Sequence, residues 1–389
     1  MNILTVTSLY PNAEQPVHGV FVENRLRHLV ASGAVNLRVI APVPWFPFPG
    51  AMFGQYGVYA KVPKTETRHG ISVTHPRFPV IPKIGMNITP RLMYWALKPV
   101  LAKMLAEGIK CDLIDAHYFY PDGVAAAMLG QAFNIPVVIT SRGTDINLIP
   151  QHETPRRQIL WAADKAAGMI TVSAALKQRL VELGAAETKI TMLRNGVDLQ
   201  TFHMMERTKC RARFNLQGTT LLSVGNLVPL KGHDLVIRAL KNLPDFQLVI
   251  AGDGPERARL ESLTGDLELK NRIQFLGRIP HEDLPSLYSA GDALMLASSR
   301  EGWPNVLLES MACGTPAIAT DVGGVSEIVT EPASGLVVGT RTPEALTTAV
   351  RQLFEHLPDR AATRAYAEGF SWDATTQGQL DLFHSIIDA

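Results

Sequence analysis

Short apolar runs alternate with amphipathic stretches along the first half of the chain. Residues 2–7 (NILTVT) are typical of a buried strand, and residues 19–32 carry apolar side chains at helical spacing. The alternation continues in predicted strands at 37–41, 113–116, 136–140 and 169–172 and in predicted helices at 122–133 and 173–183. Strands that alternate with helices indicate a parallel sheet with helices on both faces.

The second half repeats this pattern. Predicted strands lie at 220–224, 246–251, 272–276, 293–297 and 316–320, and predicted helices lie at 233–240, 257–263, 281–290, 305–312 and 342–357. Two such units in succession predict an α/β protein of two facing, Rossmann-like, doubly wound parallel-sheet domains. Ligands of such sheets bind beyond the carboxyl ends of the strands, so we expect the binding site in the cleft between the domains.

Turn residues mark the domain junction. Residues 195–202 (NGVDLQTF) follow a predicted strand, so we place the N-terminal domain at 1–204 and the C-terminal domain at 205–372. Residues 42–50 (PVPWFPFPG) predict a loop with an exposed apolar lip. Residues 83–105 mix apolar and basic side chains at helical spacing. That pattern fits either a core-packed helix with its lysines outward or a helix lying on a membrane surface.

The composition narrows the class of protein. The chain has 389 residues, of which 46% are hydrophobic and 19% charged, as in a folded globular protein. A net charge of +1 is too small for a protein that binds nucleic acid mainly through phosphates. Cys111, Cys210 and Cys313 stand too far apart for a metal-ligand motif or a disulfide framework. The absence of a disulfide framework suits a reducing compartment, and the N-terminus lacks the basic region of a signal peptide. The two features together predict a cytoplasmic protein.

The charge is distributed unevenly along the chain. Residues 1–205 hold 20 Lys/Arg and 13 Asp/Glu, a net +7, and the remainder has a net −6. A basic first half is suited to an anionic acceptor or to the inner face of a cell membrane. The alternative is ordinary solvated surface charge with a chance imbalance.

Several enzyme classes are excluded by their motifs. The run GDGPER at 252–257 lacks the third glycine of a dinucleotide fingerprint, and GNLVPLKG at 225–232 lacks the order of a Walker loop. The sequence contains no H-E-x-x-H, no paired C-x-x-C and no G-x-S-x-G. A nicotinamide enzyme, a Walker-type NTPase, a zinc enzyme and a serine hydrolase of these types are therefore disfavoured.

The most informative stretch is residues 298–328 (SSREGWPNVLLESMACGTPAIATDVGGVSEI). Glu301 lies in a predicted strand-to-helix loop, and Glu309 lies about a turn and a half into the next helix, so both can face one cleft. The helix begins near Pro304–Val306, where free N–H groups and the helix dipole favour a diphosphate. Carboxylates beside a phosphate site suit sugar hydroxyls, which donate hydrogen bonds to them. We therefore expect a nucleotide that carries a sugar.

Each of these residues also has an ordinary structural interpretation. Glu309 fits a solvated helix position, and Glu301 fits a helix-dipole partner. Lys231 follows a strand and a turn and is either a cation for phosphate or an exposed lysine.

The order of the motifs resembles family 4 glycosyltransferases of the GT-B fold. The resemblance covers nearly the whole chain. Its motifs are TSLYPNAEQPVHGVFV, DAHYFYPDG, SRGTD, RNGVD, GNLVPLKG, VIAGDGPER, IQFLGRIPHEDLPSLYSAGDALMLAS, SREGWPNVLLESMACGTPAIATDVGGVSEIV and FSWD. The two glutamates eight residues apart, with flanking glycines, are specific when they occur in this order.

The resemblance implies a role for individual residues. Glu301 is expected to hold the hydroxyls of the donor sugar, Glu309 the ribose diol and Lys231 the phosphates. His117 is expected near the transferred sugar, where a histidine orients groups or moves protons. With Glu301 and Lys231 it makes up the catalytic set. The expected donor-binding set is Gly19, Asn226, Lys231, Arg278, Ile279, Glu301, Gly302, Trp303, Asn305, Val306 and Glu309.

The acceptor is expected on the N-terminal domain, near Gly19, His117, Arg142 and Asp145. The last segment, 373–389, resembles the helix that crosses back onto that domain. One position departs from the family, since Asn226 stands where arginine is common and carries no positive charge. Either Lys231 and the helix dipole suffice, or Arg142 or Arg300 contributes.

The resemblance implies a glycosyltransferase that moves a hexose or N-acetylhexosamine from a nucleotide diphosphate sugar to a saccharide or lipid-linked saccharide. Retention of configuration without a metal or another cofactor is implied, and the absence of an Asp-x-Asp motif agrees. The alternatives are a nucleotide-sugar epimerase or hydrolase on the same fold and an inactive nucleotide-sugar-binding protein. The base and the sugar are not specified by the sequence.

Overall fold

The chain divides into two compact units in a computed structural model that describes residues 1–81 and 85–389. The first unit comprises Met1–Asn195 and Asp373–Ala389, and the second comprises Gly196–Trp372. The sequence predicts a boundary after residue 204, whereas the units divide after Asn195. The turn segment that follows the last strand of the first unit thus belongs to the second.

The first unit is built on a mainly parallel sheet. Its strands are β1 (Asn2–Val6), β2 (Asn36–Ile40), β3 (Val43–Pro44), β4 (Thr65–Arg68), β5 (Ile71–Thr74), β6 (Arg77–Phe78), β7 (Leu113–His117), β8 (Val137–Ser141), β9 (Gly168–Thr171) and β10 (Ile190–Met192). In the described residues the large sheet has the order β10-β9-β8-β7-β1-β2-β5-β4, and β4 is antiparallel to β5. Strands β7 and β8 are buried at every residue, as parallel strands covered on both faces must be.

Helices cover this sheet. They are α1 (Val20–Ala31), α2 (Gln55–Lys61), α3 (Thr89–Ala106), α4 (Val124–Phe133), α5 (Thr144–Asn147), α6 (Glu153–Lys165) and α7 (Ala174–Leu183). Local signals fix their ends. For example, α7 begins at the N-cap Ser173, whose Oγ accepts from the Leu176 N–H, and it ends at Gly184 with a φ of 113°.

The second unit holds a parallel sheet with its own core. Its strands are β11 (Thr219–Val224), β12 (Phe246–Ala251), β13 (Ile273–Gly277), β14 (Ala293–Leu296), β15 (Ala317–Thr320) and β16 (Gly335–Val338), in the order β13-β12-β11-β14-β15-β16. Its helices are α8 (Arg207–Arg213), α9 (His233–Leu240), α10 (Arg257–Asp266), α11 (Leu284–Ala290), α12 (Asn305–Ala312), α13 (Val325–Ile328), α14 (Pro343–Glu355) and α15 (Arg360–Glu368). The order of the strands reverses at β11, which is the topological position where such sheets bind ligands.

The last helix, α16 (Trp372–Ile387), returns the chain to the first unit. Phe383 and Leu380 of α16 belong to the same apolar core as Leu26 of α1. The side chains of Leu382 and Ile386 reach the Gly168 backbone at the start of β9, where a larger residue would meet them. This helix is therefore an integral part of the first unit.

The predicted fold class is confirmed, with two local corrections. Residues 42–50 are not wholly loop, since Val43–Pro44 pairs with Arg77–Phe78 in a small parallel sheet. The predicted helix at 83–105 begins later, at Thr89, after a 3₁₀ turn at Gly85–Ile88, and Lys83 and Ile84 lie outside the described residues.

One face of α3 packs into the core. Met93, Leu97 and Leu101 are buried at a spacing of four residues, whereas Trp95 is 64% exposed. The core-packed interpretation therefore holds for one face of α3, and Trp95 stays outside it. None of the helices in the described part of the chain has the length and apolarity needed to cross a membrane.

Candidate active site

Glu301 and Lys231 form a close ion pair in the second unit. Lys231 ends a 3₁₀ turn between β11 and α9, and Glu301 lies in the loop between β14 and α12. Lys231 Nζ is 2.7 Å from Glu301 Oε1, and Ser298 Oγ donates to the same oxygen at 2.6 Å. The side chains of Lys231 and Glu301 are 22% and 12% exposed, so the pair can still be reached from solvent. The structure thus brings together two residues that are 70 positions apart.

A close backbone contact holds the Glu301 loop in place. Gly323 has a φ of 56°, and a Cβ on it would lie 2.0 Å from the Glu301 carbonyl oxygen. The Gly324 N–H donates to the Gly302 carbonyl at 3.1 Å. A side chain at 323 would therefore displace the loop that carries Glu301.

Glu309 lies on α12, next to a buried tyrosine. Its Oε2 accepts a hydrogen bond from Tyr288 Oη at 3.0 Å. Burial raises the pKa of Glu309 to about 7, and the Tyr288 hydrogen bond works in the opposite direction. A carboxyl group with such a pKa is half protonated near neutral pH, and perturbed groups of this kind concentrate at functional sites.

The amino end of α12 lies a few residues after Glu301. The helix begins at Asn305 with Pro304 as its N-cap, and a proline has no side-chain oxygen with which to cap it. The first N–H groups of Asn305 and Val306 lie at this positive end of the helix dipole. Trp303 is buried, with its ring 6.5 Å from that of Phe370, and its contact with the donor stays a prediction.

His233 holds the loop around Lys231 through two hydrogen bonds. Its Nδ1 is 2.8 Å from Ser223 Oγ, and its Nε2 is 3.3 Å from the Asn226 carbonyl oxygen. Burial lowers the pKa of His233 to about 4, against the Asn226 hydrogen bond, so this ring is neutral near pH 7. The Asn226 side chain is exposed.

Arg341 brings a second cation to the same end of α9. Its Nε donates to the Ala297 carbonyl at 2.8 Å, and a terminal nitrogen lies 2.8 Å from the place a Cβ on Gly232 would take. Arg278 and Ile279 follow β13 directly, and Arg278 is exposed. Their contact with the donor stays a prediction.

The first loop of the first unit is shaped by Gly19. A Cβ there would lie 2.3 Å from the Leu9 carbonyl carbon, and its φ is 73°. His18 Nε2 lies 3.1 Å from the Ser8 carbonyl oxygen, and Ser8 Oγ donates to Asp122 Oδ2 at 2.9 Å. Burial raises the pKa of Asp122 to about 7, against its hydrogen bonds from Ser8. These contacts bind the loop before α1 to the turn at Phe119–Gly123.

His117 is fully buried at the end of β7. Its Nε2 is 2.9 Å from Asp115 Oδ2, and its Nδ1 is 2.6 Å from an Arg142 terminal nitrogen. Burial lowers the pKa of His117 to about 4, with the Asp115 charge opposing that shift and the Arg142 charge adding to it. Both ring nitrogens are therefore occupied, and His117 holds Arg142 rather than presenting an open nitrogen. The next residue, Tyr118, has a φ of 82°, which is unusual for a residue with a side chain.

Arg142 and Asp145 have different surroundings. Arg142 donates to Asn195 Oδ1 at 3.0 Å and lies over the Phe21 ring at 5.3 Å. Burial lowers the pKa of Arg142 to about 9. The Asp145 carboxylate accepts from the Phe119, Arg142 and Gly143 N–H groups, so it holds the main chain.

Several residues around these sites escape sequence reasoning. Ser298 and Tyr288 hold the two glutamates of the second unit. Asp115, Arg25 and Gln379 surround His117 in the first unit. Asp115 could have been predicted from the sequence, since it lies two residues before His117 on one strand and therefore on the same face of the sheet. No three His, Cys, Asp or Glu in the described residues are grouped to hold a metal ion.

Comparison with known proteins identifies the family. The family described as glycosyl transferases group 1 matches residues 205–370, and the one described as glycosyltransferase family 4 matches residues 19–201. The chain belongs to glycosyltransferase family 4 and is a glycosyltransferase. A similar relative is a putative teichuronic acid biosynthesis glycosyltransferase of Bacillus subtilis, 31% identical over 92% of this chain and 90% of its own length.

Solved structures share the fold over the full chain. Sucrose-phosphate synthase from Thermosynechococcus elongatus has a TM-score of 0.83 and 22% identity, covering 100% of this chain and 99% of its own. The Anabaena protein HepE, solved in complex with UDP-glucose, has a TM-score of 0.75 and 20% identity, covering 99% of this chain and 100% of its own. These similarities show the GT-B fold.

Proposed function

We propose that this protein transfers a hexose or N-acetylhexosamine from a nucleotide diphosphate sugar to a saccharide or lipid-linked saccharide. The observation that carries the proposal is the Lys231–Glu301 pair beside the amino end of α12, with Glu309 one helical turn further on. A cation, a helix amino end and two carboxylates provide one group for each part of a nucleotide sugar. The solved relative that holds UDP-glucose supports this class of donor.

The donor side follows from the contacts of each group. Lys231 and the first N–H groups of α12 would stabilise the negative charge that builds on the leaving diphosphate. Both hydrogen bonds of Glu301 end on Oε1, so we assign Oε2 to a hydroxyl of the donor sugar. Glu309 would accept from the ribose hydroxyls, and its pKa of about 7 makes that contact favour neutral to alkaline pH.

The cation that Asn226 lacks is supplied in this proposal by Arg341. Its guanidinium lies at the Gly232 backbone, where α9 begins. Arg300 follows Ser299 in the Glu301 loop and stays a second candidate for the phosphates. We assign no metal to the reaction, and retention of the anomeric configuration is part of the proposal.

The acceptor is proposed to bind the first unit, near the loop before α1. A cavity of about 220 Å³ there is lined by polar residues, including His18 and Ser8, and by apolar or aromatic ones, including Tyr59, Phe78 and Met93. Trp45 and Phe48, in the chain segment that borders this cavity, are 56% and 59% exposed. A mixed polar and apolar lining beside exposed aromatic side chains suits a saccharide on a lipid carrier, at the inner face of a membrane.

Membrane association has its own test. The first unit has exposed basic side chains as well as the exposed aromatic ones. They include Lys61, Lys64, Arg91 and Lys98. We expect sedimentation with anionic vesicles that weakens as salt rises, and weaker binding by the Trp45→Ala/Phe48→Ala variant. Equal sedimentation with neutral vesicles at every salt concentration would favour a soluble saccharide acceptor.

Transfer itself is tested by following release of the nucleoside diphosphate from labelled donors in EDTA, with and without membrane-extracted acceptors. We expect release that depends on the acceptor, and a product with the donor's anomeric configuration by NMR. Glu301→Gln should lower turnover by at least ~10-fold, which corresponds to a lost transition-state contact of over ~1.4 kcal/mol. Release without an acceptor would indicate a hydrolase, an interconverted sugar an epimerase, and binding without release an inactive binding protein.

A further inference from the structure

A continuous chain of hydrogen bonds crosses the interior of the first unit. Arg25 of α1 donates through Nε to Gln379 Oε1 at 2.8 Å. Gln379 Nε2 donates to Asp115 Oδ2 at 3.2 Å, and the same oxygen accepts a hydrogen bond from His117 Nε2 at 2.9 Å. His117 Nδ1 in turn accepts a hydrogen bond from a terminal nitrogen of Arg142 at 2.6 Å. The chain joins the carboxyl-terminal helix α16 to a residue at the candidate site.

Each member of this chain fixes the orientation of the next. An arginine can only donate, so Arg25 requires the amide oxygen of Gln379 on its side and turns the amide NH₂ toward Asp115. The Asp115 carboxylate can only accept, so His117 must carry its proton on Nε2. Nδ1 of His117 is then a bare acceptor, which is what the Arg142 guanidinium requires.

Burial makes this arrangement sensitive to the loss of any member. Arg25 is 1% exposed, and Asp115, His117 and Gln379 are 0% exposed. In the described part of the chain, Arg25 has one terminal nitrogen without a hydrogen-bond partner, and the other donates to the Leu193 carbonyl at 3.3 Å. When one partner of a buried hydrogen bond is removed, the free-energy cost of the unpaired polar group is much larger than it would be at the surface.

We propose that Gln379 is a positioning residue for glycosyl transfer, which acts through Asp115 and His117 to hold the guanidinium of Arg142. Gln379 does not touch the reacting atoms in this role. It keeps His117 in the neutral Nε2–H form, and a protonated His117 would turn an N–H toward Arg142 and release it. The positioning role rests on the proposed function, whereas the proton state of His117 can be read without any substrate.

The charges around His117 set the direction of the expected effect. It faces Asp115 on its own strand β7, Arg142 after β8 and Arg25 on α1, and burial together with the two arginines keeps the pKa of its ring low. In the Gln379→Glu variant, the new carboxylate would still accept from Arg25 but would offer Asp115 no N–H and would add a negative charge. That charge stabilises the protonated ring, so the pKa of His117 must rise.

The test is ¹⁵N NMR of selectively labelled histidines in the whole chain, with the His117→Gln spectrum identifying the His117 signal among the 11 histidines. We expect the wild type to show a neutral Nε2–H ring that does not titrate between about pH 5.5 and 8.5. In Gln379→Glu the titration midpoint should rise by about one pH unit or more. The matched control is Gln377→Glu, the same substitution at an exposed position of α16, where Gln377 contacts Asp381, and it should leave the His117 signal unchanged.

Activity supplies the second readout. We expect kcat/KM of Gln379→Glu, divided by that of the wild type, to fall by about twofold between pH 8 and the raised titration midpoint of His117, and to fall further below that midpoint, a dependence that general loosening of the fold would not produce. Gln379→Met keeps the volume of the side chain and removes both of its hydrogen bonds, so it should lower kcat at every pH. This variant replaces Gln379→Glu in the test if Gln379→Glu does not fold. An unchanged His117 signal in folded Gln379→Glu, or wild-type kcat in Gln379→Met, would overturn the positioning role. No transfer by the wild type, with the expected His117 shifts, would instead contradict the proposed function.

Discussion

The two units hold their functional side chains in opposite ways. In the second unit, Glu301 and Lys231 lie on loops, remain partly exposed and meet in a pair reinforced by Ser298. In the first unit, Asp115 and His117 are completely buried and are held by Gln379 of α16 and by Arg142 in the loop after β8. The Lys231–Glu301 pair of the second unit can exchange its partners for a ligand, whereas the Asp115–His117 network of the first unit is fixed by the fold itself.

This difference indicates a division of labour. An ion pair that solvent still reaches contributes less to stability than a fully buried one, so its residues are available to bind a donor. A buried network contributes little net energy when intact but costs several kcal/mol when one partner is removed. Substitutions of Glu301 and Lys231 should therefore affect activity with little effect on stability, and substitutions in the buried network of the first unit should affect activity and stability together.

The same chemical change in each unit gives the largest expected contrast. Asp115→Asn leaves two buried guanidinium groups near an amide, and we expect the free energy of unfolding to fall by about 3 kcal/mol. Glu301→Gln should lower it by no more than about 1 kcal/mol. Urea titrations of both variants, followed by circular dichroism, measure the two values. Equal losses would contradict the proposed division.

Gly19 offers a test with an internal control. Gly19 and Gly33 both have a φ of 73°, but a Cβ at 19 would lie 2.3 Å from the Leu9 backbone, whereas a Cβ at 33 would meet nothing within 4 Å. Gly33→Ala should cost about 1 kcal/mol for the left-handed backbone alone. Gly19→Ala should cost at least about 2 kcal/mol more and should weaken activity, because the loop before α1 must move. Thermal unfolding separates the two, and indistinguishable melting curves would show that the loop adapts freely.

The smallest effect concerns the pH dependence of the second unit. The pKa of Glu309 is raised from 4.5 to about 7, so the folded state binds this proton more tightly than the unfolded chain does. Stability from this group is complete below about pH 4.5 and is lost as the pH rises through about 7. Glu309→Gln should therefore gain about 1–2 kcal/mol of unfolding free energy over the wild type at pH 8 and almost none at pH 4.5.

The control for that experiment lies in the other unit. Burial also raises the pKa of Asp122 to about 7, so the wild type and Glu309→Gln share its contribution and their difference isolates Glu309. A difference between the two proteins that does not change with pH would show that Glu309 is ionised throughout.

The same contrast explains how much of the molecule can be predicted from sequence. The strands and helices of both sheets follow from apolar periodicity, and Glu301 to Glu309 lie within one short segment that carries its own helix start. The first unit's network joins Arg25 to Gln379 across 354 positions and Gln379 to Asp115 across 264. Nothing in a local pattern marks a buried glutamine near the end of the chain as the partner of an arginine near its start.

Other differences have similarly physical causes. Trp303 shares the loop of Glu301, and the burial of its large ring beside Phe370 is a feature that only the packed structure reveals. The short strand Val43–Pro44 escaped prediction because the prolines around it are typical of a loop, and its partner Arg77–Phe78 is distant in sequence. The identity of Arg341 as a neighbour of the Gly232 turn likewise depends on the approach of separate loops.

The most direct test of the donor site is a thermal-shift panel of UDP, GDP, ADP and their hexose conjugates in EDTA, on the wild type and on Lys231→Met. A ligand at ~100 times its dissociation constant adds about 2.7 kcal/mol of stability, which is easily measured. We predict that one nucleotide and its sugars stabilise the wild type, and that Lys231→Met loses this stabilisation while Lys241→Met, an exposed lysine of the same unit, retains it. Stabilisation by no nucleotide, or equal stabilisation of Lys231→Met, would contradict a donor site at Lys231 and Glu301.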